Sequence, residues 1–165
     1  MYPLGHLGLG VHLVPERLRK GLRFRWLALG CLLPDLIDKP YWLAMEAIRW
    51  QPRGSRLVGH TLLFCGALAL AARLLRSPVL RAVSLGALTH VALDVAGELA
   101  AGMQPIWTGW LFWPLFGWRF PIESNALPPA VPEVPIYLVA EAAGFLLLIV
   151  DFVRWKRARA RALVR

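Results

Sequence analysis

Apolar run length is the first constraint on this chain. "LVGHTLLFCGALALAARLL" from Leu57 to Leu75, "VLRAVSLGALTHVALDVAGELAAG" from Val79 to Gly102 and "IYLVAEAAGFLLLIVDFVRW" from Ile136 to Trp155 each come close to the ~20 residues that carry a helix through a bilayer. Hydrocarbon offers no water to a backbone N–H or C=O, so such runs fold as helices that satisfy their own polar groups. The first two, joined across a short turn at Ser77-Pro78, read as a helical hairpin. The third follows the Pro-rich "LPPAVPEVP" and ends in a basic tail. Hydrophobic residues make up 58% of the chain and mean hydropathy is +0.52, above the range of soluble domains. The expected fold class is an all-α, integral-membrane helical bundle. Its 165 residues suffice for about four or five spans and leave little for a separate soluble domain.

The first third of the chain is less regular. Residues 3 to 14 are too short to span upright, and the run from Phe24 to Trp50 is interrupted by Pro34 and Pro40. A short or re-entrant first helix and a discontinuous second helix are expected. Non-helical backbone at membrane depth survives only against protein or a water-filled cavity, so the break at "PDLIDKP" points to an intramembrane polar site. The segment "IWTGWLFWPLFGWRF", Ile106 to Phe120, has the aromatic density of an interfacial belt and is expected to cap that cavity.

The net charge of +9 does not trace a nucleic-acid footprint, because the basic residues gather at the ends of apolar runs. They lie at Arg17 to Arg25, at Arg49, Arg53 and Arg56, at Arg73, Arg76 and Arg81, and from Arg154 to Arg165. The bilayer and a small-molecule or lipid substrate are the expected partners, no nucleic acid is, and no oligomeric state is specified. The last basic cluster predicts a cytoplasmic C-terminus in a bacterial-type inner membrane. Residues 1–155 read as one membrane-embedded domain and 156–165 as a basic tail. Cys31 and Cys65 have no C-x-x-C spacing and read as packing residues. The N-terminus has no basic n-region and is not read as a removable signal peptide.

Ionisable side chains inside spans cost on the order of 2–3 kcal/mol each on insertion scales, so they mark sites more often than accidents. His6, Asp35, Asp38, His60, His90 and Asp94 all lie in the apolar portions. His90 and Asp94 stand i, i+4, on one helix face where a single ion can reach both. Imidazole nitrogen and carboxylate oxygen suit zinc and related divalent ions, and Asp35, His60, His90 and Asp94 supply four ligands from three helices. The competing reading for a single histidine is a hydrogen-bonded packing residue, and for Asp35 and Asp38 a helix cap at the proline break. His12 reads as a surface or interface residue, Glu98 faces either the cavity or an interface, and Glu141 and Asp151 read as candidate buried groups behind the ligands that nothing in the sequence pairs.

"GHLGLG", "GCLLPDLID", "RLVGHTLL" and "LTHVALD", in this order, resemble the LexA-regulated, membrane-bound metal-dependent hydrolase family. More distantly, the order His, Asp, His, His-x3-Asp resembles the ligand series of zinc-dependent phospholipases C and the related single-strand nucleases. The resemblance spans roughly residues 5 to 120 and implies that Asp35, His60, His90 and Asp94 hold one metal. It further implies that His6 joins a second metal bridged by Asp94, while Asp38 either backs a ligand or acts as general base. The chain departs from that pattern in its P-D-x-x-D spacing, in Thr61 where Ser is usual, and in "LDVAGE" after the last motif.

The function expected from these residues is metal-dependent hydrolysis of a phosphoester, of possible lipid origin. One or two divalent ions, zinc foremost, would activate a water and clamp the phosphoryl oxygens, with Asp38 as the candidate catalytic base. The rival readings are an ion or metal transporter using the same buried His and Asp residues, and a non-catalytic membrane protein.

Overall fold

The computed structural model describes residues 3–48, 56–100, 109–117, 120 and 135–163, all of them helix, turn or coil. Among these residues six helices run in order: α1 (Pro3–Leu13), α2 (Glu16–Arg19), α3 (Phe24–Ala47), α4 (Leu62–Leu74), α5 (Pro78–Ala100) and α6 (Pro135–Leu163). A 3-10 turn, Val58–His60, precedes α4. The all-α expectation holds among these residues. Arg49, Arg53, Ile106 to Thr108 and "LPPAVPEV" lie outside them.

Helix α5 is the centre of the bundle. It packs against α3 and α4, and α1 lies over α3 and α5 while carrying α6 on its outer side. Small residues permit these close approaches, as is common where helices meet in lipid. A Cβ on Gly30 of α3 would strike the backbone of Val83, and one on Gly86 of α5 would strike the backbone of Leu27 and Cys31. Gly8 of α1 meets Gly144 of α6 backbone to backbone in the same way. Two apolar clusters flank the crossing, one of Val11, Val14, Leu27, Cys31 and Ala82, the other of Cys65, Ala87, Val91, Trp110 and Leu111. Both cysteines are buried and unpaired, as packing residues should be.

Three expectations need correction. The run from Phe24 is not discontinuous: α3 continues through both Pro34 and Pro40. Proline in a helix interior removes one N–H and crowds the carbonyl four residues earlier, yet tertiary packing against α5 on the Gly30 face holds the helix together. The run from Leu57 is not helical throughout. Its first residues form the 3-10 turn, and Thr61 caps α4 by accepting the Phe64 N–H at 3.0 Å while donating to Val58 O at 2.8 Å. The 13 residues of α4 extend only ~20 Å, short of a hydrocarbon core of about 30 Å. Finally, the four or five spans expected become, among the described residues, two helices long and apolar enough to cross a membrane, α5 and α6.

The hairpin of α4 and α5 does form. Arg76 adopts a left-handed conformation (φ 47°) in its turn, and the Ser77 hydroxyl accepts the Leu80 N–H at 3.2 Å, with Pro78 as the first helical residue. Helix α6 does not stop at the basic tail but carries it as helix to Leu163. Lys156 and Arg159 there lie over the rings of Phe152 and Trp155.

Candidate metal centre

Four segments converge on one buried polar cluster. His6 comes from α1, Asp35 and Asp38 from α3, His60 from the 3-10 turn, and His90 and Asp94 from α5. His6, Asp38, His60, His90 and Asp94 are all buried, and Asp35 retains 14% exposure. All six polar positions singled out from sequence are therefore brought together.

The two central imidazoles are held in defined orientations. His90 Nδ1 lies 2.7 Å from the carbonyl of Cys31, which can only accept, so this nitrogen carries the proton. His60 Nδ1 lies 2.7 Å from Asp38 Oδ2, again a donor to an acceptor. Asp38 also accepts the N–H of Leu57 at 2.8 Å and of Gly59 at 2.9 Å. Gly59 has no room for a side chain, because a Cβ there would lie 2.9 Å from Pro34 O and 3.1 Å from Asp38 Oδ1.

Asp38 thus has both oxygens occupied and is 2% exposed, which is not the setting of the general base expected for it. Its position is that of the carboxylate that fixes the tautomer of a ligating histidine. The capping reading is half recovered: Asp38 caps backbone, but that of the 3-10 turn rather than its own helix.

With both Nδ1–H groups committed, the two Nε2 atoms of the neutral rings are left as acceptors, and they face each other at 3.2 Å. Asp35 Oδ1 lies 3.5 Å from His60 Nε2 and 3.8 Å from His90 Nε2. Asp94 Oδ2 stands at the same two distances from them, 3.5 and 3.8 Å. Ligands ~2.0–2.1 Å from a tetrahedral zinc sit about 3.3 Å from one another, so the separations suit such an ion. His6 stacks on the His90 ring at 3.8 Å between centroids and places Nε2 3.2 Å from Asp94 Oδ1. His6 Nδ1 is buried with no hydrogen-bond partner among the described residues.

The ligand-type atoms fall into two overlapping sets, His6, His90 and Asp94, and Asp35, His60 and His90. The sharing residue is His90, where the resemblance implied Asp94. Because Cys31 O takes His90 Nδ1, one nitrogen remains to serve both sets.

Three further participants had no partner assigned from sequence. Lys39 bonds Asp35 Oδ2 at 2.6 Å, one helical turn along α3. Arg56 bonds Asp94 Oδ2 through Nε at 3.1 Å, pairs with buried Glu98, and lies 5.4 Å from the centroid of the Trp110 ring. Glu141 of α6 accepts the N–H groups of Leu4 and Gly5. The i, i+4 spacing of Asp35 and Lys39 was visible in the sequence; the other two pairings span 38 residues or more and were not. Outside the cluster, His12 pairs with Asp151 at 3.5 Å, so both have partners in each other. Trp110, from the aromatic segment, is fully buried with its ring edge-on to His60. Leu115 and Phe116 remain exposed, so the segment has one buried and one outward-facing part.

An all-helical bundle with membrane-length apolar helices around a buried histidine–carboxylate cluster defines an integral membrane protein with a polar interior site. More particularly, the chain belongs to the YdjM inner membrane protein family, whose model matches residues 1–161. No curated protein and no solved structure matches it.

Proposed function

We propose that this protein is a membrane-bound, divalent-metal-dependent hydrolase acting on a phosphoester. The observation that carries the reading is the 3.2 Å approach of His60 Nε2 to His90 Nε2. Two neutral imidazoles whose Nδ1–H groups are both spent on acceptors have only lone pairs left to turn toward each other. Lone pairs converging with two carboxylates in a buried site call for a cation.

Charge points the same way. Among the described residues the carboxylates Asp35, Asp38, Asp94 and Glu98 outnumber the cations Lys39 and Arg56. An added cation suits those surroundings. His60, His90 and Asp94, whose facing atoms lie 3.2 to 3.8 Å apart, are the residues proposed to hold zinc or a similar ion, with His6 beside Asp94 and Asp35 facing the position left for water. The single available nitrogen of His90 favours one ion over two.

A divalent ion bound there would supply Lewis acidity toward a phosphoryl oxygen and a water nucleophile at neutral pH. The chain supplies the rest. Asp38 and Cys31 O hold the tautomers of His60 and His90, Arg56 orients Asp94, and Trp110 excludes solvent behind His60. Asp35, the partly exposed carboxylate of the set, takes the proton of the attacking water in place of Asp38. Water forms the new bond to phosphorus, the bond to the ester oxygen breaks, and that oxygen takes up the proton held by Asp35 and leaves as the alcohol.

Elemental analysis of the detergent-purified protein tests the centre. About one zinc, manganese or similar ion per chain is expected, lost in His90→Ala and Asp94→Ala, together with metal-dependent release of phosphate or alcohol from phosphoesters. A wild-type protein that takes up no ion even after reconstitution overturns the reading and leaves a proton shared between His60 and His90. The basic end of α6 is proposed to lie in the cytoplasm under the positive-inside rule, which a C-terminal reporter fusion tests.

A further inference from the structure

We infer that Lys39 is the anion-recognition residue of this site, binding a phosphoryl oxygen of the substrate at its mouth; the inference deepens the hydrolase reading and rests on it. The cluster is closed on most sides: the side chains of His6, His60, His90 and Asp94 are between 0 and 4% exposed. Exposure is greatest along α3, 14% at Asp35 and 44% at Lys39, against 16% at Arg56 on the other side. A substrate that approaches along α3 meets Lys39 and Asp35 first.

The two cations of the site are not equivalent. Arg56 is 16% exposed and is fixed by Asp94, Glu98 and the face of Trp110. Its planar guanidinium serves the protein's own carboxylates. Lys39 has a compact ammonium with three donors on a flexible stem. Among the described residues Asp35 Oδ2 is the one carboxylate oxygen it reaches, at 2.6 Å.

Asp35 is thereby used from both sides. Its Oδ1 faces the imidazole nitrogens and its Oδ2 faces Lys39. An anion accepting from the remaining ammonium protons lies within one carboxylate's width of the proposed ion, the placement a phosphoryl group needs to touch both. The ligand class is an anionic phosphoryl group, from a lipid headgroup or a soluble ester.

The test is calorimetric binding of inorganic phosphate to the full-length, metal-loaded protein in detergent, comparing wild type with Lys39→Met and Lys39→Arg, with metal content measured in each. Loss of one charge-assisted contact predicts at least about tenfold weaker phosphate binding in Lys39→Met, with Lys39→Arg close to wild type and metal content equal in all three. Equal phosphate binding in wild type and Lys39→Met, no phosphate binding by the metal-loaded wild type, or metal loss in Lys39→Met each overturns the inference while leaving the metal centre standing. A wild-type chain without metal removes both. Displacement of phosphate by phosphatidylcholine vesicles containing phosphatidate assigns the group to a lipid headgroup, and displacement by glycerol phosphate alone assigns it to a soluble ester. Displacement by neither overturns the substrate assignment.

Discussion

Glu141 Oε2 accepts the Gly5 N–H at 2.6 Å, one residue before His6. The same carboxylate takes the Leu4 N–H at 3.1 Å through Oε1, and Gly144, one turn on, lies against the backbone of Leu4 and Gly5. A carboxylate at a helix N-terminus answers two donors that have no partner within the helix and complements the helix dipole. Helix α6 therefore contributes to the site by setting where α1 begins and so where His6 points.

Removing that clamp should be felt at His6. Glu141→Ala is expected to weaken retained metal about tenfold, in the range of other indirect supports of metal ligands. Chelator competition on purified protein measures it; unchanged metal retention would mean that α1 is placed by Gly8 and Gly144 alone.

Asp38→Asn keeps the size of the side chain but lets an amide N–H face one of the three donors that Asp38 now accepts. Metal affinity is expected to fall about 10–100-fold. Chelator competition again reads it, and a variant that holds metal normally but has no hydrolase activity would return Asp38 to the role of base.

Arg56→Met leaves Asp94 and Glu98 buried without their shared cation. Breaking a buried pair from one side costs about 3–5 kcal/mol. The metal-free variant should therefore unfold at lower temperature in detergent than the metal-free wild type, and added metal should narrow the gap by supplying positive charge at Asp94. Thermal unfolding with and without metal decides this, and equal gaps in both states would count against a shared role of Asp94.

Helix contact and helix propensity separate cleanly at two glycines. Gly86→Ala pushes a Cβ into the backbone of α3 and is expected to destabilise by about 1–3 kcal/mol and to loosen the site through Cys31. Gly66→Ala, on α4, meets nothing within 4 Å and should be neutral or stabilising by up to ~1 kcal/mol. Thermal unfolding of the two variants side by side tests the assignment of α3 against α5.

His12 provides the control among the histidines. It bonds Gly8 O at 2.8 Å and Asp151 at 3.5 Å, outside the cluster. His12→Ala should leave metal content unchanged where His90→Ala abolishes it, and elemental analysis of the two variants makes the comparison.

What the amino-acid sequence determined by itself was the solvent and the inventory. Long apolar runs dictate helices in lipid, because no other open structure satisfies the backbone there, and the same cost makes each ionisable residue within those runs informative. His6, Asp35, Asp38, His60, His90 and Asp94 were legible for that reason, as was the common face of His90 and Asp94. Where the polypeptide departs from local rules, tertiary contact decided. Pro34 and Pro40 break helices by local sterics, yet α3 runs through them against α5, and Thr61 stops α4 from starting where the apolar run starts. The partners of the site followed no local pattern. Asp38 to His60, Cys31 O to His90, Arg56 to Asp94 and Glu141 to Gly5 join segments far apart in the chain, and only the packing of α1, α3 and α5 around one interior sets which lone pair meets which proton.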